Sequence, residues 1–284
     1  MPKTIYVSRS DGYPWKHIPV QSEVTLTEEN IQLPPSLRVA LIVHVGLGEK
    51  AWSKVEEYVQ NIAAALTDSL EILVAVVESP EAEQVTKTIE ASLERHLRKS
   101  IRIVENRGMD IGSFLWWLDV LRVRPISQQP HYLIKLHTKS NELWRQHLCK
   151  PLFESSDRVR RLINYMQKHE SVGMLGSRFN LYDTLNHCKP HTVFVNQYLT
   201  ELGYAPLSVF KAHPKGSLRF VGGTIFIARM EAFRYNLNAA DLLYWQSQLT
   251  RGRSNDRSGP QRTHALERIF GIVVQYQGYR LLAV

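Results

Sequence analysis

The stretch HYLIKLHTKSNELWR, residues 131–145, joins an apolar run to a cluster of basic and hydroxyl side chains. Because side chains alternate along a strand, Lys135, His137 and Lys139 are expected on one side of it, with Thr138 on the other. Three basic groups at a strand end would form a cationic ladder, and a pyrophosphate is a suitable partner for it. The alternative is a solvated strand end, which the apolar, central character of the strand disfavours.

The stretch ENRGMDIGSF, residues 105–114, is predicted to connect a strand to a helix. Gly108 and Gly112 allow tight backbone, and the start of a helix offers free amides to a phosphate or a ribose. Asp110 has three open roles: capping the helix, orienting a sugar hydroxyl, or binding a metal. The spacing matches neither a Walker motif nor GxGxxG.

Paired glycines interrupt a predicted strand in FVGGTIF, where Gly222 and Gly223 precede Thr224. Glycine inside a strand indicates either a bulge or the close approach of a ligand or another backbone, and the sequence leaves both open.

The stretch HALER places His264, Glu267 and Arg268 on successive turns of a predicted helix. A carboxylate beside a histidine is what a general base requires. A surface ion pair is the alternative.

Predicted strands alternate with predicted helices through the first half of the chain. The strands are residues 38–46, 71–79, 101–108 and 131–140, and the helices are residues 49–70, 80–100 and 110–123. This alternation predicts an α/β fold, with a Rossmann-like, mostly parallel sheet flanked by helices. Ligands of such sheets bind beyond the carboxyl ends of the strands. The candidates at those ends are His44, Asn106, Arg107, His137, Thr138 and Lys139.

The second half is less regular. It contains a predicted helix at residues 157–169 and a strand at 172–177. Residues 219–233 are predicted to form a strand that paired glycines interrupt, followed by the start of a helix. A polar, arginine-rich loop is predicted at residues 250–263, followed by a helix and a final strand. The first 36 residues are interpreted as an irregular arm.

The composition is that of a globular protein whose partner is anionic. The chain has 284 residues, 44% of them hydrophobic, and a net charge of +8. That charge suits nucleic acid, a phosphorylated metabolite or an acidic membrane surface. Two cysteines, Cys149 and Cys188, make no disulfide framework and indicate a reducing cytoplasm. The sequence has no GxSxG, HExxH or DxD and no run long enough to span a bilayer.

Four strings together resemble the rhamnan synthesis protein F family of bacterial glycosyltransferases. They are VENRGMDIGSFLWWL, YLIKLHTKS with the following WR, FVGGTIFIARMEAF, and THALERIFG with the following GYRL. The match runs from about residue 39 to the end of the sequence. The resemblance implies a GT-A-like glycosyltransferase domain at residues 37–284 after an arm at 1–36. Residues 37–145 would bind the nucleotide-sugar, and the acceptor and catalytic half, 146–284, would continue the same domain.

The resemblance also implies roles for individual residues. LHTKS stands where GT-A enzymes carry a DxD, so His137 and Lys139 would neutralise the diphosphate and transfer would need no metal. The implied donor is dTDP-rhamnose or a GDP-deoxyhexose. Its predicted contacts are His44, Asn106, Arg107, Gly108, Asp110, His137, Thr138 and Lys139. The catalytic candidates are Glu267, which matches the GT-A carboxylate, with His264 and Asp110. The acceptor-side candidates are Gly222, Gly223, Thr224 and Arg268.

The implied activity is transfer of a deoxyhexose, with inversion, to a growing lipid-linked cell-surface polysaccharide such as lipopolysaccharide O-antigen. The expected place is the cytoplasm, with peripheral contact at the inner face of the plasma membrane and with other enzymes of the synthesis complex. Two alternatives remain. One is a catalytically inactive homologue acting as a scaffold in that complex. The other is a basic nucleic-acid-binding module, which the absence of aromatic residues within the arginine cluster at 251–262 disfavours.

Overall fold

A computed structural model describes residues 3–5, 22–24, 31–207, 218–237, 240–252 and 261–284. Within the predicted N-terminal arm, β1 (Lys3–Ile5) and β2 (Ser22–Val24) pair antiparallel. The arm is therefore not irregular throughout. Most of the predicted arginine-rich loop lies outside the described residues.

Seven strands form the central sheet. They are β3 (Val39–Val45), β4 (Leu70–Val77), β5 (Lys99–Val104), β6 (Tyr132–His137), β7 (Val172–Gly176), β10 (Phe226–Arg229) and β11 (Arg280–Ala283), and a separate two-stranded sheet holds β8 (Leu181–Asp183) and β9 (Arg219–Val221). The order across the large sheet is β11-β7-β10-β6-β3-β4-β5. Only β10 runs antiparallel to its neighbours. The predicted α/β class with a mostly parallel sheet is confirmed.

Helices cover the sheet. They are α1 (Glu56–Leu66), α2 (Ala82–Ser92), α3 (Met109–Arg122), α4 (Glu142–Phe153), α5 (Ser156–Lys168), α6 (Thr184–His187), α7 (Thr192–Glu201), α8 (Met230–Leu237), α9 (Leu242–Ser247) and α10 (Arg262–Tyr276). In the described part of the chain, none of them combines the length and apolar character needed to cross a bilayer.

The core lies between the sheet and these helices. Every residue of β3 and β6 is buried, as expected of central strands covered on both faces. The rings of Phe114, Phe226 and Phe270 meet edge to face, with 5.0 Å between the Phe114 and Phe270 centroids. These contacts fix α3 and α10 against β10, and the two helices carry much of the site described below.

The helices predicted at residues 49–70 and 80–100 are longer than the observed ones, and one observed helix was not predicted. The helix predicted from residue 49 begins at Glu56, after a short 3-10 turn at Trp52–Lys54. Helix α4 was not predicted. Pro151 lies inside it, although its buried residues Leu148, Cys149, Leu152 and Phe153 repeat at the four-residue spacing of a helix. The expected division between residues 145 and 146 falls within α4.

The sheet has a topological switch at β3. The chain adds β4 and β5 on one side of β3 and then places β6 on the other. In open α/β sheets such a switch opens a crevice at the carboxyl ends of the strands, where ligands bind. Because β10 is antiparallel, its first residue lies at this same edge.

Candidate functional site

A cavity of about 570 Å³ lies at this edge of the sheet. Its walls are the start of α3, the segment after β6, the turn between β9 and β10, and the first turns of α10. The volume is within the range of small-molecule sites.

A buried ion pair lies in the floor of the cavity. The Lys135 ammonium lies 2.5 Å from Asp110 Oδ2 and also donates to Thr224 Oγ1 at 2.9 Å. The Thr224 hydroxyl donates to the same Asp110 oxygen at 2.5 Å. Lys135 is only 1% exposed. These bonds join β6, α3 and the turn before β10.

The charge of Asp110 is maintained by its neighbours. Burial alone would raise the pKa of Asp110, but the basic groups around it, with the Lys135 ammonium in direct contact, lower it well below the usual range. The pKa of Lys135 is lowered by its burial, while Asp110 opposes that shift. The capping role considered for Asp110 is wrong. Gly108 is the N-cap of α3, no side chain caps that end, and the Asp110 carboxylate faces Lys135.

The turn Gly222–Gly223–Thr224 is held from two sides. Gly223 N donates to Glu267 Oε1 at 2.5 Å, and Gly223 O accepts from His137 Nε2 at 2.6 Å. Gly223 and Thr224 both have positive φ, 79° and 53°. A β-branched residue rarely adopts this conformation, and such strain concentrates at functional sites. The glycines therefore form a strained turn at the cavity between two strands of different sheets, not a bulge within one strand.

Glu267 is fully engaged by the protein. Its Oε1 accepts from Gly223 N, and its Oε2 lies 3.1 Å from Arg268 Nη1. Arg268 also donates to the carbonyls of His264 and His187, at 2.6 Å and 2.9 Å. The sequence HALER left open an ion pair on the surface as the alternative. The Glu267–Arg268 ion pair is present, but it is largely buried.

Two histidines face each other across the cavity wall. The ring centroids of His191 and His264 are 5.1 Å apart. Burial lowers the pKa of both groups, that of His191 to about 4, with Arg268 adding to that shift. His191 Nδ1 accepts from Gln261 N at 3.1 Å, whereas His264 Nδ1 is buried without a hydrogen-bond partner in the described structure. Because its pKa lies below 6.5, His264 is mostly a neutral imidazole at pH 7, a form that can accept a proton through a free ring nitrogen.

Lys139 is the residue of the predicted cationic ladder that reaches the cavity. Its ammonium lies 4.3 Å from the centroid of Trp144, and both residues line the cavity. Lys135 and His137 do lie on one side of β6, but that side is the protein interior. The predicted three-residue ladder is thus wrong, because two of its members bind protein groups.

Three predicted nucleotide-binding residues serve to hold strands and loops together. His44 Nδ1 lies 2.9 Å from Ser113 Oγ, and burial lowers the pKa of His44 to about 4, so it supplies no positive charge at neutral pH. Thr138 Oγ1 accepts from Gly46 N at 2.8 Å. None of His44, His137 or Thr138 is among the described residues that line the cavity.

Residues 106–108 hold the segment that leads toward the arginine-rich loop. Arg107 donates to the carbonyls of Ser247 and Leu249 at 2.9 Å and 3.2 Å. Gly108 N donates to Thr250 O, and Asn106 O accepts from Gly252 N. A side chain at Gly108 would clash with Leu249. The described cavity lining includes none of Asn106, Arg107 and Gly108. The contact with Leu249 instead shows that the glycine at 108 allows close packing.

The remaining predicted residues come together around the cavity. The described lining includes Asp110, Lys139, Gly222, Gly223, Thr224, His264, Glu267 and Arg268. Sequence reasoning missed other members of the lining, among them Met109, Trp144, Tyr182, His187, His191 and Phe220. Trp144 had a usable signal, since it lies in the mainly polar run SNELWRQ directly after the predicted strand.

Asp110 is the residue that the sequence left open as a metal ligand. Its Oδ2 already contacts an ammonium and a hydroxyl. The described residues contain no group of three or more histidine, cysteine, aspartate or glutamate side chains placed to hold an ion.

Comparison with known proteins gives distant relatives. No family model matches the chain. The uncharacterized protein WxcX of Xanthomonas campestris strain B100 is 26% identical over 211 residues, which are 71% of this chain and 27% of WxcX. The WxcX of strain ATCC 33913 matches with the same identity and coverage. The chain thus spans about a quarter of the length of the curated relatives it matches.

Solved structures with partial likeness are glycosyltransferases. A mannosyltransferase from Pyrobaculum calidifontis, in complex with GDP-Man and Mn²⁺, gives a TM-score of 0.45 at 12% identity, over 90% of this chain and 57% of that one. Core-mannan synthase A from Aspergillus fumigatus, in its Mn/GDP form, gives 0.41 at 10% identity, over 96% and 79%. Mouse xyloside xylosyltransferase 1 gives 0.38 at 12% identity, over 87% and 85%. TM-scores below 0.5 do not indicate a shared function. The fold class follows from the strand order and direction of the sheet itself.

Proposed function

We propose that this protein is a glycosyltransferase of the GT-A-like α/β class that takes a nucleotide-diphosphate sugar as donor. One observation carries the proposal: all four sequence motifs contribute residues to one cavity at the switch edge of the sheet. They supply Asp110, then Lys139 and Trp144, then Gly222–Gly223–Thr224, and finally His264, Glu267 and Arg268. Motifs that lie between Asp110 and Arg268 in the sequence meet because β6, β10 and the starts of α3 and α10 share that edge.

The cavity offers distinct contacts to the parts of such a donor. Lys139 supplies positive charge for the diphosphate, and its flexible ammonium can reach either phosphate. The start of α3, at Met109 and Ile111, provides backbone and apolar surface for the nucleoside. The sugar would then extend toward the turn before β10 and the first turns of α10, where His264 can accept a proton.

The finer assignment is transfer of a deoxyhexose, with inversion, to a lipid-linked cell-surface polysaccharide. It is supported by the motif resemblance, whose residues occupy the cavity. Inversion requires one base on the acceptor hydroxyl and a stabilised diphosphate leaving group. His264 and Lys139 are the residues proposed for these two tasks.

A thermal-shift panel of nucleotide-sugars tests the function. A donor at about a hundred times its Kd should stabilise the fold by about 2.7 kcal/mol, an increase in Tm of several degrees. The panel compares dTDP-, GDP- and UDP-sugars with the matching free sugars. A shift with single-stranded oligonucleotides and none with any nucleotide-sugar would contradict the proposal and favour a nucleic-acid-binding module.

The variant Lys139→Ala is expected to weaken binding of the donor found by the panel by about 1.5–3 kcal/mol, the scale of a charge-assisted hydrogen bond. Isothermal titration calorimetry measures the affinity. The matched control is Lys87→Ala, which removes an exposed lysine from α2. Equal donor affinity in both variants would rule out the Lys139 contact.

Transfer is expected to survive saturating chelator, because Asp110 is already neutralised by Lys135. Turnover is measured in EDTA, with and without added Mn²⁺ or Mg²⁺. Loss of turnover in EDTA that Mn²⁺ restores would show that the site does hold a divalent ion.

A further inference from the structure

Exposed apolar and aromatic side chains lie together on one side of the cavity. Leu143, Trp144 and Phe179 are 63%, 43% and 48% exposed. Single exposed apolar residues are common on protein surfaces, but a contiguous group marks an interaction site. These three residues are called the α4 face below.

Hydrogen bonding and stacking hold the α4 face together. Trp144 Nε1 donates to Asn180 Oδ1 at 3.1 Å, and Asn180 is buried. The Phe179 ring stacks on His147 with 4.8 Å between centroids. His147 lies one turn beyond Leu143 and Trp144 on α4, so the three apolar side chains are neighbours. Each of the two aromatic rings is therefore held by a contact with a neighbouring side chain.

Positive charge surrounds the α4 face. The Lys139 ammonium lies 4.3 Å from the Trp144 centroid, and the Arg178 guanidinium lies 5.0 Å from that of Phe179. Glu142 precedes Leu143 in α4 and is acidic, and its contact with Arg145 is a loose 3.9 Å. Aromatic rings at the level of lipid headgroups, with basic side chains beside them, are typical of interfacial membrane contacts.

We propose that the α4 face docks onto an anionic phospholipid surface. Leu143 and Phe179 would enter the headgroup boundary, while Arg178 contacts lipid phosphates. Because Trp144 belongs to both the α4 face and the cavity, docking would turn the cavity toward the bilayer. The value of that orientation for a lipid-linked acceptor rests on the proposed function. The docking itself does not depend on it.

The test is co-sedimentation of the full chain with phosphatidylcholine vesicles that contain or lack phosphatidylglycerol. We expect binding to the anionic vesicles that falls as salt is raised. The double variant Leu143→Ser/Phe179→Ser should lower the partition coefficient roughly tenfold or more, from the lost apolar burial. Arg178→Glu should lower it on anionic vesicles. Thermal unfolding of each variant checks that the exposed substitutions leave the fold intact.

The matched control is Leu97→Ser/Ile126→Ser. These side chains are also exposed and apolar, but they lie near the amino ends of the strands, opposite the cavity. Equal loss in this control, or no binding of the unaltered chain to anionic vesicles, would overturn the proposal. Vesicle binding needs neither donor nor acceptor, so that failure would leave the proposed transferase activity standing. Binding of a soluble oligosaccharide that needs Leu143 and Phe179, without vesicle binding, would assign the α4 face to a glycan instead.

Discussion

Replacing Asp110 by alanine is expected to lower the free energy of unfolding by about 3–5 kcal/mol, because it leaves a buried ammonium without its counter-charge. Lys135 is almost fully buried and has Asp110 as its ion-pair partner at 2.5 Å. For a chain of this size the loss corresponds to a fall in Tm on the order of 10 °C. Urea and thermal unfolding of Asp110→Ala measure both quantities.

Two further variants show whether the buried charge is the cause. Combining Asp110→Ala with Lys135→Met removes the unpaired charge, and most of the lost stability should return, since apolar replacements of buried ion pairs are often neutral. Asp157→Ala breaks the Arg161–Asp157 pair of α5, in which the aspartate side chain is 56% exposed. That loss should stay below about 1 kcal/mol. A double variant no more stable than Asp110→Ala would refute the explanation.

Replacing His264 by glutamine is expected to lower turnover by about 10²–10⁴-fold with little change in donor affinity, as removal of a general base does. The sequence places the base at Glu267, but both Glu267 oxygens are bonded to Gly223 and Arg268. Glu267→Gln should therefore lower the Tm and leave turnover of the folded enzyme within roughly tenfold.

The pH profile distinguishes a base from a structural residue. Because burial lowers the pKa of His264 below 6.5, turnover should rise with pH through a step below pH 6.5 and then level off. The step should persist in Glu267→Gln and disappear in His264→Gln. His96→Gln is the matched control, since burial also lowers the pKa of His96, away from the cavity. If Glu267→Gln loses turnover at unchanged Tm while His264→Gln does not, Glu267 is the base. If neither variant loses turnover, the base assignment moves to Asp110. If the unaltered chain itself shows no turnover, the result favours a catalytically inactive scaffold protein.

The sequence was informative where local pattern determines structure. The apolar runs of β3, β4 and β6 predicted buried strands, and their alternation with helices predicted the sheet. The first turns of α10 and the turn before β10 line one cavity, and in the sequence only the family resemblance connected them.

Sequence reasoning failed for side chains whose hydrogen-bond partners lie far along the chain. Alternation correctly placed Lys135 and His137 on one side of β6, but Asp110 and Gly223 make that side an interior. Arg107 has the charge and the hydrogen-bond donors of a phosphate ligand. It instead donates to the carbonyls of Ser247 and Leu249, some 140 residues away. No local pattern predicts such contacts, since they depend on how distant segments pack.

The position of β10 late in the sequence also delays completion of the central sheet during synthesis. Phe226 of β10 pairs with Lys135 of β6, and β10 alone separates β6 from β7. A ribosome therefore produces β3 to β6 well before the strand that covers the open edge, and at ordinary rates that edge stays unpaired for roughly 5–20 seconds. An unpaired edge of a buried sheet is a template for association with other chains. A nascent chain at this stage would depend on a chaperone, and a truncated chain that ends before β10 is expected to aggregate instead of folding.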